Sequence, residues 1–224
     1  MCGRFSLKST IKAIEDEFSI ETSDIDFQPR YNIAPTQNIA AIIKDETRKL
    51  TALRWGLIPS WAKDTAIGNR MINARAETLL EKPSFKDAFK KRRCLIIADG
   101  FFEWKKIGQE KIPMYIYLKD ENLFTFAGIW ETWRSTDGKA IHSCAIITTS
   151  PNEFMSSIHN RMPVILSSKD RDAWLDTSNQ TEKNLIDLLK PYPSEAMDAY
   201  PVSKIVNSPL NDIPDCIKPV IDDQ

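Results

Sequence analysis

Between residues 94 and 149 the chain reads as five consecutive β segments, 94–98, 101–106, 113–118, 123–133 and 140–149, and this run limits the fold more than any other feature. Turn signals separate them at Asp99-Gly100, Gly108 and Asp137-Gly138. Two more strands, 38–44 and 49–55, are joined by a turn around Asp45-Glu46, and apolar runs at 162–167 and 200–206 follow. Strands linked this tightly pair antiparallel with their neighbours, and so many of them must curl to enclose a core.

Helical signals are fewer. Ile11, Ile14 and Phe18 recur at helical spacing behind Ser9-Thr10, a capping pair. Pro83-Ser84 opens a helix that ends in Lys90-Lys91-Arg92-Arg93, where cations complement the helix dipole. A short helix is predicted over 151–157, and two more over 168–175 and 181–190, with Ser167-Ser168 as the cap. The chain shows no internal repeat and no low-complexity linker. The fold class is therefore α+β: a single domain over 1–224 on a curved, mostly antiparallel, barrel-like β-sheet with flanking helices. The core is placed at 1–207 and a peripheral tail at 208–224, with the last few residues fraying.

Composition excludes several classes. The formal net charge of −1 rules out bulk electrostatic nucleic-acid binding, so any such binding needs a local basic patch. Apolar runs fall well short of the ~18 residues of a membrane span, and the start lacks a signal-peptide pattern. A cytoplasmic protein is expected. Cys2, Cys94, Cys144 and Cys216 are far apart, and His142 and His159 are the only histidines, which argues against zinc. Free thiols are expected, with Cys94 and Cys144 buried in strands and His142 on a surface strand edge.

The start, Met1-Cys2-Gly3-Arg4-Phe5, carries the sharpest chemistry. If Met1 is removed, Cys2 presents a thiol and a free amine on adjacent carbons. Such a 1,2-aminothiol captures aldehydes: the amine forms a Schiff base and the thiol closes a five-membered thiazolidine. An α-amine of pKa ~7.7–8.0 and a thiol near ~8.5 are both usable near neutrality. The plain alternative is a small apolar residue near a frayed terminus.

Three other stretches place polar groups beyond what a fold needs. Asn73-Ala74-Arg75-Ala76-Glu77-Thr78 offers donors for a phosphate or oxyanion among small residues, or else a helix cap at Asn73. In Asp99-Gly100-Phe101-Phe102-Glu103-Trp104, strand alternation sets Phe102 and Trp104 on one face and Phe101 and Glu103 on the other. A carboxyl beside an aromatic wall can have its pKa raised toward proton-transfer range, or it can simply pair with an arginine. His159, between a short helix and a strand, can move protons near pH 7 or serve structurally, and Arg161 beside it offers a fork for phosphate.

Taken together these stretches resemble the SOS-response-associated peptidase, or SRAP, family. The resemblance is carried by MCGRF at 1–5, PRYNIAPTQ at 29–37, RWGLIPSWAKD at 54–64, NARAET at 73–78, RRCLIIADGFFEW at 92–104, FAGIWE at 126–131, TTSPN at 148–152 and HNRMPVIL at 159–166. The segment AYPVSKIVN at 199–207 is similar too, while Ile97 stands where proline is usual and Phe102 where tyrosine is usual.

The resemblance implies a sensor of abasic sites in single-stranded DNA that crosslinks to the lesion through Cys2, with lyase and autopeptidase activities as side reactions. It implies Asn73, Glu103 and His159 as partners of Cys2 in catalysis. Arg4, Arg75 and Arg161 are the expected phosphate contacts, and Trp55, Trp61 and Trp104 stacking surfaces, with core packing as their alternative. No cofactor, metal or membrane is implied; the partner is DNA, the protein a monomer, nucleoid-associated when bound. Two rivals remain: an N-terminal-nucleophile peptidase or amidohydrolase, and a non-covalent single-stranded DNA-binding module.

Overall fold

A computed structural model of the chain describes residues 2–20, 27–120, 122–178 and 181–220. The predicted fraying of the last residues lies outside them. In chain order the elements are β1 (Arg4–Leu7), α1 (Ile11–Phe18), β2 (Arg30–Ile33), β3 (Asn38–Lys44), β4 (Arg48–Trp55), β5 (Asn73–Arg75), α2 (Pro83–Lys91), β6 (Arg93–Ala98) and β7 (Gly100–Ile107). There follow β8 (Glu110–Leu118), β9 (Phe124–Arg134), β10 (Ala140–Thr149), α3 (Glu153–Ser156), β11 (Met162–Pro163), β12 (Ile165–Leu166), α4 (Arg171–Leu175), α5 (Glu182–Asp187) and β13 (Met197–Pro201).

Two sheets form where one was expected. Strands β3, β4, β10, β9 and β6 pair in a ring that closes on itself, because β10 bonds β9 along one edge and β4 along the other. Closure removes free edges. All ring pairings are antiparallel except β10 with β4. The second sheet runs β13-β8-β7-β1-β2. All six residues of β6 are buried, as a strand covered on both faces requires. The α2 and α4 helices pack against this part of the barrel.

The Asp99-Gly100 signal is not a hairpin turn. Strand β6 belongs to the barrel and β7 to the second sheet, so the chain crosses between sheets at Asp99. The Asp99 carboxylate accepts from Ser6 Oγ at 2.6 Å, Lys8 N at 2.5 Å and Ser9 N at 3.1 Å, pinning β1 beside β7. Gly100 is needed for close packing: a Cβ there would sit 2.1 Å from the Tyr115 ring. Gly108, at φ 60°, turns the β7–β8 hairpin as its position predicts.

Other boundaries shift. Thr10 caps α1 as expected, and the predicted helix over 181–190 contains α5. The apolar run 162–167 splits into β11 and β12, and the predicted 200–206 strand lies earlier, at Met197–Pro201. The run at Lys90–Arg93 ends a helix, with Arg93 Nη1 donating to the Phe89 and Lys90 carbonyls at 2.8 Å each. The predicted peripheral tail is anchored: Asn32 Nδ2 donates to the Ser208 and Asn211 carbonyls, Asp212 accepts from the Tyr31 and Asn32 amides, and Cys216 is fully buried. Cys94 and Cys144 are buried in β6 and β10, His142 is exposed, and all four thiols are free.

Candidate active site

The register of β1 on β7 delivers residue 2 to the site. Arg4 pairs with Phe102 and Phe5 with Phe101, so each step toward the start of β1 is a step forward along β7. Residues 2 and 3 therefore arrive alongside Glu103. Cys2 is fully buried. Its carbonyl accepts from Asn73 Nδ2 at 2.8 Å, and Asn73 is fixed by the parallel pairing of β5 with β10, opposite Ile146. Asn73 thus opens a strand, and the helix-cap alternative falls away.

Strand alternation sorts the neighbours as the sequence implies. Phe102 lies in a small second core with Trp104 packed on it, while Phe101 joins the main core. Glu103 shares the Phe101 face and is only 3% exposed. Burial raises its carboxyl pKa, and the nearby His159 opposes part of that shift. His159 Nε2 stands 4.0 Å from Glu103 Oε2. His159 Nδ1 sits against the Arg161 backbone, 3.0 Å from its N–H and 3.2 Å from its carbonyl oxygen, which holds the ring with Nε2 toward Glu103. Burial pushes the Cys2 thiol pKa far up, and the Glu103 carboxylate adds to the effect. Both effects favour the protonated form of the thiol.

The predicted DNA contacts divide. Arg75 is exposed, and no hydrogen bond or ion pair ties its guanidinium to another described residue. Trp61 is 60% exposed on a loop held by Trp133 Nε1 donating to the Ala62 carbonyl at 2.8 Å. Trp104 is half-buried, with Nε1 donating to Asn207 Oδ1 at 2.8 Å. Trp55 is a correction: it is fully buried, edge-on to Phe5 with centroids 5.2 Å apart, and has no face for a base.

Arg4 is a second correction. Its guanidinium is taken by Asn32 Oδ1 at 2.7 Å and by the carbonyls of Val206 at 2.7 Å and Asn207 at 3.2 Å, so it staples the start of the chain to the C-terminal segment. Arg161 is largely engaged as well. Glu77 grips its fork at 2.5 and 2.9 Å, and the Thr148 carbonyl accepts at 2.7 Å. That hydrogen bonding holds the Glu77 carboxyl below the usual range. Asp99, Asn32 and Glu77 take no role of their own from the sequence, although all three lie in stretches that carry the family resemblance.

An open cleft of about 790 Å³ lies against this site, lined by Glu103, Trp104, Lys106, Lys111, His159 and Asn207 among others. Among the described residues no group of three or more His, Cys, Asp or Glu could hold a metal ion, and no helix is long and apolar enough to cross a membrane.

Residues 1–209 match the protein family described as SOS response associated peptidase (SRAP). The chain belongs to that family. It is 50% identical over 222 residues to the abasic site processing protein YoqW of Bacillus subtilis (strain 168), covering 97% of this chain and 99% of that one. It is 33% identical over 227 residues to the abasic site processing protein HMCES of Xenopus tropicalis, covering 87% of this chain and 67% of the relative. A crystal structure of a Bacteroides thetaiotaomicron protein superimposes with a TM-score of 0.90 at 30% identity, covering 98% of this chain and all of that one. In this SRAP chain the unusual Phe102 is fully buried against Tyr115, centroids 5.2 Å apart, where a tyrosine hydroxyl would need a partner.

Proposed function

We propose that this SRAP protein processes abasic sites in DNA by forming a covalent crosslink through Cys2 once Met1 is removed. The observation that carries the reading is the setting of residue 2: a buried cysteine held by Asn73, beside a carboxyl of raised pKa, with an imidazole 4.0 Å from that carboxyl. The abasic processing named for YoqW and HMCES supports it.

The ring-opened abasic sugar presents an aldehyde at C1′. Addition of the Cys2 amine forms a C–N bond and, with loss of water, an imine. The thiol then adds to the imine carbon, forming the C–S bond, and its proton ends on the ring nitrogen. The net change is aldehyde plus aminothiol to thiazolidine plus water. Glu103 in its protonated form supplies the acid that opens the cyclic hemiacetal and expels water, and His159 exchanges protons with it. Asn73 orients the backbone of residue 2; its Oδ1, buried and without a hydrogen-bond partner among the described residues, is an acceptor for the freed amine. Where the imine lasts, its acidified sugar C–H permits β-elimination, a lyase side reaction.

Single strands are the preferred form, because exposed Trp61 and half-buried Trp104 give sequence-tolerant stacking surfaces and Arg75 an exposed cation. The protein works as a monomer in the cytoplasm, at the nucleoid when bound. A self-directed peptidase activity, in keeping with the family description, is the second reading and rests on the same thiol. Intact-mass analysis after mixing with an abasic oligonucleotide decides among them: an adduct of protein plus oligonucleotide less one water supports crosslinking. A clipped chain without adduct supports the peptidase, and an unchanged mass overturns both.

A further inference from the structure

We propose that Lys106 and Lys111 hold backbone phosphates of the strand on one side of the lesion, so that the β7–β8 hairpin is a second strand-binding arm of the site. This rests on the abasic-site reading above. In the hairpin register Lys106 lies directly opposite Lys111. Like charges directly opposed across a β-ladder are destabilising, so a fold gains nothing from this pair. Both side chains are exposed, and no ion pair ties either to another described residue. The hairpin's own carboxylate, Glu110, is instead approached by Lys204 at 3.9 Å.

The two lysines line the same cleft as Glu103 and His159. Its volume of about 790 Å³ falls in the range of ligand pockets, about 300–1,000 Å³. Strand β1 pairs with β7 from Gly100 to Phe102, and the part of β7 that lines the cleft begins at Glu103. The lining also carries Trp104, an aromatic surface, and Asn207, an amide that fixes it. Cations, an aromatic and an amide in one open groove suit a sugar–phosphate chain with its bases.

Topology gives the arm its place. Arg75 lies two residues along β5 from Asn73, which grips Cys2 from one side. Glu103 follows Phe102, the β7 partner of Arg4, and β7 runs on from it through Trp104 to Lys106. A lesion joined to Cys2 inside a strand has two flanks. Arg75 is placed for one, and the lysine pair for the other.

The test uses the full-length protein and a tetrahydrofuran abasic analogue, which has no aldehyde and cannot crosslink. Dissociation constants are read by fluorescence anisotropy for short-flanked oligonucleotides and for versions extended by about four nucleotides on the 5′ or the 3′ side, the smaller end of single-strand site sizes. Wild type should gain affinity from extension on one side, and K106Q/K111Q should lose that gain. With two phosphate contacts at a single-strand slope of about 0.7 each, the advantage of wild type should shrink about sevenfold between 50 and 200 mM salt. K106R/K111R should restore it.

The proposal is overturned if wild type gains nothing from either extension. It is also overturned if the glutamine variant keeps the gain, or if it weakens short and extended strands equally. Absence of any covalent adduct between wild type and a true abasic oligonucleotide would instead sink the abasic-site reading, which the unreactive analogue does not probe.

Discussion

The Asn73 side-chain amide donates to the Cys2 carbonyl at 2.8 Å, binding residue 2 to a strand that lies 71 positions further along the chain. The contact fixes the direction in which the cysteine backbone points while leaving its amine and thiol free to act. Asn73→Ala should therefore slow crosslinking more than it weakens DNA binding. A loss of about tenfold in rate corresponds to about 1.4 kcal/mol, the scale of one lost hydrogen bond with an unpaired buried group. Single-turnover crosslinking rates and anisotropy on undamaged strands separate the two; an equal drop in both would make Asn73 a binding residue only.

Cys2 should act through both of its groups. Purified protein should lack one methionine by intact mass, and a variant retaining an extra residue before Cys2 should form no lasting adduct. Cys2→Ala keeps the amine once Met1 is gone, so it should cleave abasic strands by β-elimination, with borohydride trapping the imine. Stable crosslinks from the extended variant would refute the thiazolidine route.

The proposed acid role of Glu103 ties crosslinking to stability with a definite sign. Burial raises its carboxyl pKa above the unfolded value of about 4.3, so the folded state binds the proton more tightly. The stability this contributes is fully present below the unfolded pKa and is lost as pH rises through the folded one. Glu103→Gln removes that dependence. Relative to wild type it should gain Tm on going from pH 4.5 to pH 8, about 2–4 °C for each kcal/mol relieved, while crosslinking slows about 10²-fold or more. Calorimetry at the two pH values checks it; parallel Tm profiles would show the carboxyl to be unperturbed.

Two tryptophans in neighbouring segments should fail in opposite ways. Trp55→Ala empties a fully buried site and should cost about 3–5 kcal/mol of stability. Trp61→Ala, at a side chain 60% exposed, should leave the urea midpoint nearly unchanged and weaken single-strand binding by about 1–3 kcal/mol, one stacked base. A destabilised Trp61→Ala protein with intact binding would reverse the assignment.

Arg75→Ala should weaken binding to all sequences alike and reduce the salt slope by about 0.7, one phosphate on a single strand. Arg4→Ala should instead loosen the C-terminal segment, because the Asn207 carbonyl loses the Arg4 donor and the Val206 carbonyl keeps only Asn32 Nδ2. Limited proteolysis near residues 204–212 reads that difference, and protection equal to wild type would argue against the staple.

Short-range pattern determined much of this protein. Alternation in 101–104 was enough to set Glu103 opposite Trp104, and Gly108 with the apolar runs around it was enough to specify the β7–β8 hairpin. Period-two sorting and turn geometry depend only on residues a few positions apart, so they can be read directly from the chain. The pairing of Asn73, Glu103 and His159 with Cys2 came from family resemblance, since no local rule brings positions 2, 73, 103 and 159 together. Tertiary structure alone decided the rest. Asp99-Gly100 carries the signal of a hairpin, yet both edges of β6 are taken by β3 and β9, so β7 pairs with β1 and β8 in the other sheet. Trp55, Arg4 and Arg161 look like nucleic-acid contacts in sequence, and their roles were set by distant partners: Phe5, the carbonyls near 206, and Glu77. Whether a ring or a guanidinium faces solvent depends on which remote segment packs over it, and that packing is settled only when the whole chain folds.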